Sequence, residues 1–182
     1  SVEIDIKNII TLLFEKYFVT AWPLFASVII GDFMTFNRLE SLIGSKNGFF
    51  GSGDGVLFSS IEYYKYILEL CEVSPNIAPK RIAHMMPLED KDANFVTWHP
   101  LSRKLIDIYG FNEDFLDELS SNMGSFGSIG SSVPYYIVQK SLLEELIAHP
   151  IEKVRVWAKN MLEYTNKSIK IERLKDDEQG IK

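Results

Sequence analysis

A single cysteine, Cys71, in 182 residues leaves no partner for an internal disulfide and too few thiolates for a cysteine-rich metal site. That economy fits a reducing compartment, and the cytoplasm is the expected location. Long apolar runs are missing as well. The longest, Ala21 to Gly31, covers 11 residues and is interrupted by Pro23 and Ser27, whereas a membrane-crossing helix needs about 18 to 20. No transmembrane segment and no membrane partner are therefore expected. The opening Ser-Val-Glu-Ile-Asp has neither the basic stretch of a secretory leader nor an initiating Met. The chain is accordingly expected to be the C-terminal part of a larger protein. Basic charge is scarce over most of the length: residues 1–150 carry 11 Lys and Arg against 19 Asp and Glu, while 151–182 carry 8 against 6. A body this acidic repels phosphate backbones, which disfavours nucleic acid as a partner.

Chemical signatures are equally thin. The three histidines, His84, His99 and His149, are isolated, without a second ligand at the spacing of a recognised metal motif. No metal and no cofactor are expected. His99-Pro100 and His149-Pro150 hold comparable positions at helix boundaries, which suits an imidazole that caps backbone groups. Ser102 and Ser131 lack the nucleophile elbow and the triad partners of a serine hydrolase, so no catalytic residue is assigned. Two glycine-rich stretches, Gly51 to Gly55 and Gly124 to Gly130, lead towards helix N-termini, where free N–H groups can receive an anion. Neither is followed by the Lys-Ser/Thr of a P-loop. They read as connectors, with a small anionic ligand and an enzymatic role as the alternative. The adjacent carboxylates Asp117-Glu118 and Glu144-Glu145 point to different sides of a helix and cannot work as one acid–base pair.

What the chain does have is helical periodicity. Ile6, Ile9, Ile10, Leu13, Phe14 and Tyr17 recur at three and four, predicting a helix over 3–20 that ends at Trp22-Pro23. A second helix is predicted over 24–43, with Gly31-Asp32 as a point where it can split. Residues 44–55 hold five glycines in twelve and read as a long loop. Ser59 or Ser60 caps the next helix, which carries Ile61, Tyr64, Ile67, Leu68 and Cys71 on one stripe. A short helix over 79–86 ends at Pro87. Further helices are predicted over 101–109, closed by Gly110, and over 114–123. The last pair begins at Pro134 and turns at His149-Pro150, and it places Val154, Trp157, Ala158 and Met161 on a face directed at its partner. Trp157 is expected between those two helices. The polar run from Glu172 to Gly180 suits the outer face of a terminal cap.

The fold class that follows is all-α: about four stacked antiparallel helical pairs, beginning near residues 3, 59, 99 and 134, in one domain spanning 1–182. The segment His149-Pro-Ile-Glu-Lys-Val154-Arg155-Val-Trp-Ala158-Lys-Asn-Met-Leu162 resembles the second helix of a HEAT repeat, in which Val-Arg follows a Pro-bearing turn and Ala and Leu come four and eight residues after the Val. The best match covers 134–165. His149 stands where the family usually has an Asp, and that departs from the Asp–Arg ladder between HEAT units. From Trp98 onwards the chain also looks like the C-terminal portion of uncharacterised bacterial helical-repeat proteins. The resemblance implies an α-solenoid that serves as a protein-interaction scaffold or sensor, with self-assembly with a second copy as a further reading. Tyrosine buries its ring while its hydroxyl stays hydrogen-bonded, which favours it at interfaces. Tyr63, Tyr66 and Tyr135 are the candidates for a shared binding surface.

Overall fold

The computed structural model describes residues 2–44, 55–91, 93–125 and 130–179. Within them the chain is all-α, as the periodicity predicts. The helices are α1 (Val2–Ile30), α2 (Phe33–Ile43), α3 (Ile61–Val73), α4 (Ala78–Met85), α5 (Pro100–Tyr109), α6 (Glu113–Gly124), α7 (Val133–Glu144) and α8 (Glu152–Gln179), with a 3-10 turn at Val56–Phe58. No strand occurs among the described residues; an isolated antiparallel bridge joins Glu89 and Trp98.

The starts of these helices follow sequence chemistry. Asp32, Ser60 and Asn112 accept the backbone N–H groups of Thr35, Glu62 and Asp114, while α4, α5 and α7 carry Pro in the first turn. The break expected at Trp22-Pro23 is absent. Helix α1 runs through Pro23 to Ile30 and bends instead at Tyr17, whose φ of −137° and ψ of 25° leave the helical region. The expectation that no segment is long and apolar enough for a membrane therefore fails: Asn8–Ile30, 23 residues, passes by length and composition alone. The interruptions counted in the sequence do not stop the helix, and the Ser27 hydroxyl folds back onto the Leu24 carbonyl at 2.7 Å. One side of that helix belongs to the core, which takes Phe14, Phe18, Trp22, Phe25 and Ile29.

A single cluster of buried side chains continues from Ile10 to Ala158. Its joints are the C-terminal carbonyls of the helices, which an α-helix leaves without internal donors. Arg81 donates to Ile29 O at the end of α1 at 2.5 Å, and its guanidinium lies 4.9 Å from the Phe36 ring centroid. Asn122 donates to Ala83 O and Met86 O at the end of α4, and Trp98 to Leu142 O near the end of α7. Gln139 and Tyr135 both donate to Met123 O at the end of α6. Each joint ties a helix to another part of the chain.

The even-numbered helices are linked in succession. Phe36 and Glu40 of α2 meet Arg81 and His84 of α4. Lys80 and His84 of α4 meet Asp114 and Glu118 of α6. Glu113 and Ser120 of α6 meet Lys153 and Trp157 of α8. In every case the contacts fall in the same order along both helices, so neighbours run in the same direction.

Helix α8 approaches α5 closely enough to require glycine at the end of α5. A Cβ at Gly110 would stand 2.3 Å from Val154 Cγ2 and 2.5 Å from Ile106 O. Gly110→Ala is therefore expected to destabilise the fold by about 1 to 3 kcal/mol through overpacking. A urea titration checks this, and an unchanged midpoint would mean that α8 can shift at no cost.

Candidate functional site

The structure brings two of the three candidate tyrosines together. Tyr63 and Tyr66 lie one turn apart on α3 and line a groove of about 520 Å³ with Phe18 and Val19 of α1 and with Ile61, Glu62 and Lys65 of α3. Aromatic stacking fixes its floor. Phe18 and Tyr63 lie 3.9 Å apart and 13° from parallel, Phe18 stacks on Trp22 at 5.5 Å, and Tyr66 meets both Phe18 and Trp22 edge-on.

The Tyr63 hydroxyl donates to Phe14 O at 2.9 Å, just before the bend of α1 at Tyr17. Burial, then the carboxylates of Glu15 and Glu62, raise the pKa of that hydroxyl, which holds it in the donor form. The walls are different in character. Val19 is 65% exposed and Ile61 76% exposed, while Lys65 places its ammonium 4.8 Å from the centroid of Tyr66. The result is a rigid aromatic base with open apolar edges and one charge of each sign. The part that Phe18 and Trp22 play in this floor comes from the packing of α1 against the tyrosines of α3.

Tyr135 sits elsewhere, on α7. Its hydroxyl donates to Met123 O at 3.1 Å at the end of α6, and burial raises its pKa. A smaller hollow nearby, about 260 Å³, is lined by Tyr136 and Tyr164 with Met123, Gln139 and Met161.

The histidines serve the fold. His149 is buried: its Nδ1 accepts the Ile151 N–H at 3.1 Å, and its Nε2 stands 2.7 Å from Asp107 Oδ1. With Nδ1 an acceptor, the proton must sit on Nε2 and be donated to Asp107. The imidazole thus caps the turn into α8, as its boundary position suggests, and ties that turn to α5. Arg155, which in the resemblance would face a neighbouring Asp, donates to the His149 and Pro150 carbonyls. His99 meets the Tyr64 hydroxyl through Nε2 at 2.9 Å.

His84 stands between two carboxylates, Glu118 at 2.8 Å and Glu40 at 3.6 Å, and burial is the main cause that raises the pKa of Glu40. This group links α2, α4 and α6. Asp117 and Glu118 do face different neighbours, Glu118 turning to α4 and Asp117 towards α8. Ser102 is buried and donates to Pro87 O, and Ser131 donates to Asp176 at 2.5 Å. No group of three or more His, Cys, Asp or Glu suited to a metal ion occurs among the described residues. Most of both glycine-rich stretches, 45–54 and 126–129, lies outside the described residues.

Cys71 is buried and unpaired; desolvation, with a smaller push from Glu72, raises its thiol to about 12. Since only the thiolate reacts, the folded chain should resist maleimide at pH 8 and label fully in denaturant. Rapid stoichiometric labelling of the native chain would place Cys71 at the surface.

Comparison with protein-family models, with curated proteins and with solved structures finds no match for this chain.

Proposed function

We propose that this chain is a non-catalytic protein-interaction module, a stack of HEAT-like helical pairs within a larger cytoplasmic protein, and that it engages a protein partner at the groove between α1 and α3. The observation that carries the reading is the groove itself. Its floor is locked by stacked rings, and its edges, Val19 and Ile61, are apolar side chains left open. Rigid aromatic anchors beside exposed apolar area are the anatomy of binding hot spots. The stacked arrangement is supported by the succession α2, α4, α6, α8, each helix linked to the next by side-chain contacts that fall in the same order along both. A repeat stack presents such a groove on a long surface without any reacting group. The reading of a module outside the membrane rests on Phe14, Phe18 and Phe25, which commit one side of α1 to the core.

The test uses the full chain as bait with Val19→Lys and Ile61→Glu, two exposed positions that leave the core intact. Proteins captured by the unaltered chain should be lost with both variants at unchanged melting temperature. Capture indifferent to both substitutions overturns the proposal. Groove-dependent self-association in light scattering, or groove-dependent flotation with phosphatidylglycerol vesicles, would replace it with self-assembly or membrane docking.

A further inference from the structure

A second trough, separate from the aromatic groove, opens between α6 and α8 with a volume of about 460 Å³. Its apolar bed comes from Leu116, Val156 and Trp157, of which Val156 is 51% exposed. Trp157 is not enclosed between α7 and α8 as its periodicity suggested. It is half-buried and faces α6, where its indole N–H donates to Ser120 Oγ at 2.8 Å. That bond fixes the ring along the trough.

Three carboxylates edge the same space, Glu113 and Asp117 from α6 and Glu152 from α8. The single basic residue among the lining side chains, Lys153, is 2.6 Å from Glu113 and neutralises it. Glu152 opens α8, where the helix dipole favours a negative charge. Asp117 lies a turn further into α6 and gains no such compensation. Neither Asp117 nor Glu152 has an ion-pair partner among the described residues. The trough therefore combines an indole, open aliphatic surface and unbalanced negative charge.

We propose that it is a docking site for an arginine- or lysine-bearing segment of a protein partner. The chemistry matches on both counts. The methylene stem of such a side chain covers Leu116 and Val156 while its charged head reaches Asp117 and Glu152, and a cation beside Trp157 gains from the indole face. A free polyamine brings charge and thin methylene linkers but no branched side chain to fill a trough of about 460 Å³, so the occupant is a peptide segment. This surface shares no residue with the α1–α3 groove, and each proposal can fail alone.

The experiment measures fluorescence anisotropy of a fluorescein-labelled Gly-Leu-Arg-Arg-Leu-Arg-Gly peptide against the full chain. Asp117→Asn combined with Glu152→Gln should weaken binding at least tenfold. The charge-matched pair Glu163→Gln with Asp177→Asn, also exposed carboxylates, should change it less than twofold. Lys153→Ala, which releases Glu113, should tighten binding about twofold or more, a gain that misfolding cannot mimic. The same peptide with Glu for Arg should not bind. Absence of binding by the arginine peptide overturns the proposal. So does equal weakening by both carboxylate pairs, which would report bulk charge, and so does displacement by spermine at equimolar concentration, which would make this a polyamine site.

Discussion

Trp98→Ala should lower the free energy of unfolding by about 3 to 5 kcal/mol, the range for deleting a large buried aromatic. Trp98 is 3% exposed at the head of α5, held there by the short pairing in which Asp90 N donates to Thr97 O and His99 N to Leu88 O. Its indole N–H donates to Leu142 O at 2.6 Å. That carbonyl needs an external donor because the helical one is diverted: Leu146 N donates to Leu143 O, one residue short of the α-helical partner. Removing the indole takes away ring volume and strands a buried acceptor. Trp98→Phe keeps most of the volume and loses only the donor, so it should cost about 1 to 3 kcal/mol, the penalty for an unmet buried hydrogen bond. Against a total stability of about 5 to 15 kcal/mol for a domain, that loss is at least about a fifth of the whole. Urea titrations of both variants decide: equal losses would show that the hydrogen bond contributes nothing, and a loss below about 1 kcal/mol for alanine would remove Trp98 from the core.

Local punctuation made the helices legible. Ser60, Gly110, Pro79, Pro87, Pro100 and Pro134 mark starts and stops that the structure places within a residue or two. Pro23 misled because a proline with a preceding helical turn only bends or weakens a helix when the surrounding packing holds it, and the aromatic stripe of α1 does hold it. The non-helical residue is Tyr17, a position with no signal in its own sequence neighbourhood. Least legible were the joints. Arg81 reaches Ile29 across 52 residues and Trp98 reaches Leu142 across 44, and no local pattern encodes a partner at that distance.

The candidate surfaces divide the same way. Tyr63 and Tyr66 share a groove because one helical turn puts them on one face of α3, while Tyr135 shares only their residue type and lies on α7. Trp157 shows how periodicity names a stripe without naming the neighbour. Helix α8 is flanked by both α6 and α7, and a residue on the edge of its apolar stripe can serve either. Val154 and Ala158 are enclosed, whereas the Trp157 ring turns to Ser120 of α6. The sequence separates Asp117 from Glu118 on the surface of one helix, and only the approach of α8 gives Asp117 a trough to border.

The joint at the end of α4 should show a cost that depends on pH in one variant and not in another. Asn122, 3% exposed, donates through Nδ2 to Ala83 O at 2.8 Å and to Met86 O at 2.9 Å. The helical donor for Ala83 O would be the N–H of residue 87, which is Pro and has none. Met86 has already left the helix, with φ −76° and ψ 152°, so its carbonyl has no helical donor. Asn122→Ala strands both buried carbonyls, and at about 1 to 3 kcal/mol per unmet group the expected loss is roughly 2 to 6 kcal/mol at any pH between 4 and 8. Asn122→Asp keeps the shape but faces the two carbonyl oxygens with a carboxyl that must keep its proton to donate. Burial and that hydrogen bond both favour the neutral form, so the folded pKa of the new group lies above the ordinary value of about 3.9. The folded state then binds more protons than the unfolded one, and stability falls as pH rises. The fall should begin near pH 4 at about 1.4 kcal/mol per unit and level off once pH exceeds the folded pKa. Urea titrations from pH 4 to 8 on both variants and the unaltered chain, read as differences from the latter, check this. Parallel curves for the two variants would show that Asn122 holds α4 by its volume and not by its hydrogen bonds.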